Sequence, residues 1–231
     1  MILYTTEVEI AGLVLRDPVT AITNVMIFAL SLFCYLKLNK RDMDYPHKNW
    51  NYFFLLIGVS SLVGVVVHGF SYYTSPQVHF HIWWLMGIIQ GAGFSIAQFG
   101  VGSNVFLKRK SIVGIVVIIQ FLAFAISMYV TESYEIAKLH IGLSLVPIMI
   151  YYVFLGMKGL KAEIFVATGI GVSALTGVIH ALKISFSQWF NYNDIAHVFI
   201  LASITLMYKG IKAGLVEKKF AEDNSPAITS Q

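Results

Sequence analysis

Seven stretches of this sequence run for about twenty residues each with almost no charge: Pro18–Leu38, Trp50–Tyr72, Ile82–Phe106, Ser111–Val130, Ile136–Met157, Ile164–Ile184 and Phe190–Tyr208. A helix needs roughly 20 mostly apolar residues to cross the hydrocarbon core of a bilayer. No water is available there, so every backbone polar group must be satisfied internally, which leaves helices and closed barrels. The runs are continuous and broken by glycines, without the alternation of barrel strands. Charged residues are 12% of the 231, about half the share of a soluble domain, which excludes a soluble globule and a disordered chain alike. The expected fold is an all-α, seven-transmembrane helix bundle. Residues 1–215 form one membrane domain and 216–231 a flexible cytoplasmic tail. Asp17-Pro18 reads as an N-cap followed by proline at the first helical position.

The basic residues orient the bundle. Of the sixteen Lys and Arg, thirteen fall in one set of connections: Lys37, Lys40, Arg41 and Lys48; Lys108, Arg109 and Lys110; Lys158 and Lys161; and Lys209, Lys212, Lys218 and Lys219. Only Arg16, Lys138 and Lys183 fall in the other. Cytoplasmic loops carry the excess of Lys and Arg, so the N-terminus is expected outside and the C-terminus in the cytoplasm, in a plasma or inner membrane. The net charge of +4 is then a topology signal, and no nucleic-acid partner is expected. With Glu7 and Glu9 and no basic region before a short apolar core, the N-terminus does not read as a cleaved signal peptide. The tail shows no lipidation or retention signal. Cys34 is the single cysteine, which excludes an internal disulfide and a cysteine-based metal site.

Six of the seven histidines collect at the outer level; His47, in the first cytoplasmic connection, is the ordinary one. His68 lies late in the second span, His79 and His81 at the start of the third, His140 early in the fifth, His180 late in the sixth and His197 early in the seventh. At 1.5 Å rise per residue, the four within the spans sit roughly 5–12 Å below the outer boundary. A histidine in a membrane is costly unless it faces the interior and finds a partner. One alone reads as interfacial; six at one level read as a shared site.

Spacing supports this. Ser61, Gly64 and His68 share one helical face, as do Ser173, Thr176, Gly177 and His180, and Ser144 follows His140 by four residues. Small residues let helices approach, and hydroxyls hold an imidazole tautomer. Asn193, Asp194 and His197 can face one point. Asp194 is the carboxylate expected within the outer half of a span, either capping the seventh helix or serving the site. Glu132, Glu135 and Lys138 read as solvated in an external loop, and Gln90 and Gln98 as polar links between helices. Tyr72, Tyr73, Trp83, Trp84, Trp189 and Phe190 read as the outer aromatic belt. Nucleotide-binding and serine-nucleophile motifs are absent, and a rhodopsin-like reading fails because Lys209 lies at the inner end of the last span rather than mid-span.

Neutral imidazole is a zinc ligand, and three ligands plus water make a catalytic site that lowers the pKa of the water. At this depth such a site would hydrolyse an amide or ester of a membrane lipid. Seven spans with His68 late in the second and His197 early in the seventh resemble the CREST hydrolase superfamily, which includes alkaline ceramidases and the adiponectin/progestin-receptor family. Its pattern has Ser-x-x-x-His late in span two, an aspartate at the start of span three and His-x-x-x-His early in span seven. The resemblance implies zinc on His68 and His197, with a third ligand from His180 or Asp194. This sequence departs from it: Gly64 holds the serine position with Ser61 one turn earlier, Asn193 replaces the first span-seven histidine, and His79 and His81 stand at the aspartate. The candidate catalytic residues are Asp194 and Ser61. The candidate metal ligands are His68, His180, His197, His140, His79 and His81. Two further classes stay open: haem held between His68 and His140 or His180, and a receptor or proton-coupled carrier gated by histidine and Asp194.

Overall fold

The computed structural model describes residues 6–38 and 45–223. Lys40 and Arg41 of the first basic connection, and residues 224–231 of the expected tail, lie outside the described residues. Among the described residues, seven helices are long and apolar enough to cross a membrane. They are α1 (Pro18–Leu38), α2 (Tyr45–Gly69), α3 (Pro76–Val105), α4 (Lys110–Thr131), α5 (Glu135–Met157), α6 (Lys161–Leu182) and α7 (Tyr192–Asp223). This is the all-α bundle expected from the apolar runs.

The helix limits differ from the apolar runs where polar residues continue a helix. α3 starts at Pro76, behind an N-cap at Ser75 whose side chain accepts from Val78 N at 3.3 Å. His79 and His81 therefore sit inside a helix. α7 runs on to Asp223, well past the seventh apolar run. α2 stops at Gly69, and a short 3₁₀ turn covers Ser71–Tyr73.

Ahead of α1 lies a hairpin that hydropathy did not reveal. β1 (Glu7–Ile10) pairs antiparallel with β2 (Leu13–Arg16), with Ile10 opposite Leu13. The two residues between them, Ala11 and Gly12, both have positive φ (52° and 82°), as a two-residue type I′ connection requires. The hairpin is tied to the bundle where Val14 N donates to Tyr73 Oη at 2.8 Å and the Arg16 guanidinium lies 5.3 Å over the Tyr72 ring. Asp17, at φ 41°, makes the turn into α1. Its backbone N–H donates to Thr6 O, and its carboxylate accepts from Thr6 N at 3.3 Å. The expected cap of α1 thus ties down the hairpin.

Six helices form a closed ring in the order α1, α2, α3, α5, α6, α7, and α4 lies outside it against α3 and α5. α4 buries 17% of its apolar window, against 28–50% for the other six. Its outward face of Ile115, Ile118, Ile119, Leu122 and Ile126 is exposed, as a lipid-facing surface would be. At the end away from the hairpin the ring is filled largely by aromatic side chains. There Trp50 donates to Tyr152 Oη at 2.7 Å, and Trp50, Phe53 and Phe94 stack edge to face at 5.2 Å between centroids.

α6 and α7 approach most closely through two reciprocal glycines. A Cβ on Gly169 would lie 2.9 Å from Ser203 O and Met207 N, and one on Gly210 would lie 2.7 Å from Ala162 O. Backbone cannot yield as a side-chain tip can. We expect Gly169→Ala and Gly210→Ala each to cost about 1–3 kcal/mol. Gly142→Ala and Gly171→Ala, with nothing described within 4 Å of the new methyl, should be neutral or stabilise by up to about 1 kcal/mol. Unfolding of the purified protein in mild detergent measures both pairs.

Candidate functional site

One face of α2 explains where the bundle is hollow. Trp50, Phe53, Phe54 and Ile57 fill the ring at one end; the same face then continues with Ser61, Gly64 and His68. The loss of side-chain volume leaves a cavity of about 870 Å³ that opens at the hairpin end. His68, His79, His180 and His197 line it, from α2, α3, α6 and α7. Ile27, Ile57 and Ile200 supply apolar wall, and Asn24, Ser60, Ser61 and Gln90 supply polar atoms. A Cβ at Gly64 would come within 2.7 Å of Asn24 Oδ1, so the serine of the CREST pattern would displace the Asn24 amide.

The start of α7 is fixed by reciprocal capping. Asn191 precedes the helix, its Oδ1 accepts from Asn193 N at 2.8 Å, and Asp194 Oδ2 reaches back to Asn191 N at 2.8 Å. This is a capping box with Asn191 as the cap and Asp194 as its third-position partner, so Asp194 serves the cap without being it. Its other oxygen accepts from Thr20 Oγ1 at 2.7 Å, and the residue is fully buried. One turn on, Thr23 Oγ1 lies 2.7 Å from His197 Nδ1. Thr23 Oγ1 is also 3.0 Å from both Val19 O and Thr20 O, which only accept. The single hydroxyl proton goes to those carbonyls, so Nδ1 carries the imidazole proton and donates to Thr23. Nε2 of His197 is left as a bare lone pair. The His68 ring stands 6.5 Å away, nearly perpendicular.

The six outer histidines thus divide. Four share the cavity, but His140 and His81 do not. His140 is 3% exposed and wedged between α3, α4 and α5. Its ring stacks on Phe124 at 4.3 Å, and Nε2 lies 3.2 Å from Gly91 O and Ser95 Oγ. Ser144, expected to hold it, instead accepts from Gln120. His81 is exposed beside Tyr129, with Nδ1 at 2.7 Å from Gln77 O. Ser173 and Thr176 donate to carbonyls of their own helix, and His180 meets the edge of Tyr192. Trp83, read as part of an aromatic belt, lines the cavity beside Tyr134. Glu135 and Lys138, read as loop residues, pair at 2.6 Å at the cavity mouth in the first turn of α5. His47, read as ordinary, lines a second cavity of about 280 Å³ at the opposite end, with Asn104, Tyr151 and Glu163. Gln90 and Gln98 do link helices, through Tyr134 and Gln120.

A structural or catalytic zinc needs three or four ligand atoms about 2 Å from one point. Among the described residues, no group of three or more His, Cys, Asp or Glu side chains is arranged to hold a metal ion. Both oxygens of Asp194 face protein donors. Haem between His68 and His140 does not fit, because the His140 ring is stacked on Phe124 and its Nε2 faces protein oxygens. Ser61 donates to Ile57 O at 3.0 Å and offers only lone pairs to the cavity.

Two groups at the mouth have shifted titrations. Burial pushes the Tyr134 phenol up to about 12, so it stays a donor to Gln90. Burial also raises the Asp17 carboxyl, and the Asp194 charge adds to the effect, against the Thr6 N–H and Arg16. A carboxyl raised on folding contributes stability that is complete below its unfolded pKa and is lost as pH rises through the folded one. Asp17→Asn keeps the acceptor for Thr6. Its unfolding curve should match the wild type below about pH 4 and exceed it at pH 7. Thr20→Val strips one donor from a buried carboxylate and should cost about 1–3 kcal/mol by the same measurement.

No curated protein and no solved structure matches this chain. Residues 19–216, nearly the whole described bundle, match the family of unknown function DUF6962. The chain therefore belongs to that family.

Proposed function

We propose that this protein is a multi-pass protein of a plasma or inner membrane that binds a small, partly apolar molecule in the cavity beneath the hairpin, as a receptor or carrier. The observation that carries the reading is the convergence of His68, His79, His180 and His197 from four helices on one space of about 870 Å³. Ligand pockets run to about 300–1,000 Å³, mostly apolar with a few placed polar groups. This one has isoleucine walls and a His197 held in one tautomer by Thr23. The distribution of Lys and Arg supports an extracytoplasmic mouth, and the lipid-exposed helices support a membrane lipid or a lipid-soluble molecule as the ligand.

A zinc-dependent hydrolase of a lipid amide or ester, as the CREST resemblance implies, is the second reading. One observation favours it: imidazoles that ligate a metal donate their other N–H to an orienting acceptor, as His197 does to Thr23. Against it stand the two-histidine pair at 6.5 Å and an Asp194 committed to the cap.

Two measurements separate the readings. Protein purified in native lipid should release a bound small molecule on denaturation, detected by mass spectrometry. Ser61→Trp, which fills the cavity, should release none. Elemental analysis should find far less than one zinc per chain. About one zinc per chain, lost in both His68→Ala and His197→Ala but kept in His47→Ala, would establish the hydrolase reading instead.

A further inference from the structure

We infer that the ligand of this cavity carries a hydroxyl head group on an apolar chain, an inference that rests on the ligand-binding reading above. It comes from an account of protons around the cavity. Ser60 Oγ donates to Met86 O at 2.9 Å, and Ser61 Oγ donates to Ile57 O at 3.0 Å. Asn24 Nδ2 donates to Thr20 O at 3.0 Å, which turns its Oδ1 toward α2 beside Gly64. His197 gives its proton to Thr23 through Nδ1. Ser60, Ser61 and His197 have each given their one proton to a protein oxygen and keep Oγ, Oγ and Nε2 as acceptors, while Asn24 keeps Oδ1 and the second of its two Nδ2 protons.

Below the mouth, where Tyr192 and Asn193 still offer donors, the wall made by α1, α2 and α7 is therefore richer in acceptors than in donors. A carboxylate or phosphate head has only lone pairs and would oppose them in a site of low dielectric. A polar atom buried without its hydrogen bond is costly, and a charged one more so. A head that donates is matched to this wall. The facing helix, α3, offers two donors, Gln90 Nε2 and Trp83 Nε1; Gln90 Oε1 already accepts from Tyr134. A hydroxyl donates to the first wall and accepts from the second, which an ammonium cannot do. Lys138 and Lys183 line the mouth together with Glu135 and Asp17, two formal charges of each sign, so the mouth itself selects neither a cation nor an anion. His68, His79 and His180 have no ring proton fixed by a described bond and adapt to either role. The apolar chain follows from the isoleucine walls and from the bilayer around the ring.

The test uses the whole protein in lipid nanodiscs at pH 8, with three probes of one chain length: 1-dodecanol, dodecylamine and dodecanoate. Saturable binding above empty nanodiscs is expected for dodecanol, with dodecanoate at least tenfold weaker. Ser61→Ala, which removes one acceptor and breaks only a bond within α2, should weaken dodecanol roughly three- to tenfold. Ser173→Ala, which removes a hydroxyl outside the cavity, should leave it unchanged. Equal unfolding midpoints of the two variants exclude a general loss of structure. Dodecanoate or dodecylamine binding as tightly as dodecanol would overturn the head-group inference while leaving the ligand-binding reading intact. Absence of saturable binding by all three, in a protein that also releases no native small molecule, would overturn both.

Discussion

Everything in this bundle follows from the scarcity of hydrogen-bond partners inside a bilayer. A hydroxyl, amide or carboxylate placed in a spanning helix must find its partner in protein. Here that demand closes the ring. Thr20 and Thr23 of α1 reach Asp194 and His197 of α7 at 2.7 Å each, which joins the first helix to the last. Asp194 is also held by the Asn191 capping box. Remove the carboxylate and two features lose support together: the start of α7 and the Thr20 link between α1 and α7.

The ring is asymmetric because its side chains are. Large aromatic residues crowd the end rich in lysine and arginine, while serine, glycine and histidine occupy the matching helical face at the other end. A cavity in a membrane protein need not be carved by loops; here a gradient of side-chain volume along one face of α2 suffices. The polar residues set around it have mostly settled their hydrogen bonds with each other or with backbone. What they show to the interior is therefore one-sided, and this gives the site a chemical preference without any charged anchor.

Much of this was legible in the chain. Seven spans, the convergence of His68, His180 and His197, and the shared face of Ser61, Gly64 and His68 follow from apolar runs and a 3.6-residue period. Long, strongly patterned segments carry such information well. The exclusion of His140 was not legible, because depth in a membrane does not tell which neighbour a ring meets; Phe124 and Gly91 decided that. Nor was the hairpin, where Ala11-Gly12 gave a weak turn signal in a segment too short for hydropathy to register. The most informative residues missed were Thr20, Thr23 and Asn24. Their spacing of three and four places them on one face of an otherwise apolar helix, a pattern that costs free energy in lipid and so points to a partner. Reading the first span for its polar residues, as the second and sixth were read, would have found the α7 contact.

The glycine-to-backbone contacts of α6 and α7 carry a mechanical corollary. Gly169 and Gly210 bring the two main chains together, so His180 and His197 are carried on helices seated directly against one another. The neighbouring helix α5 is tied less tightly, since Pro147 omits one rung of its helical ladder and Gly142 meets nothing within 4 Å among the described residues.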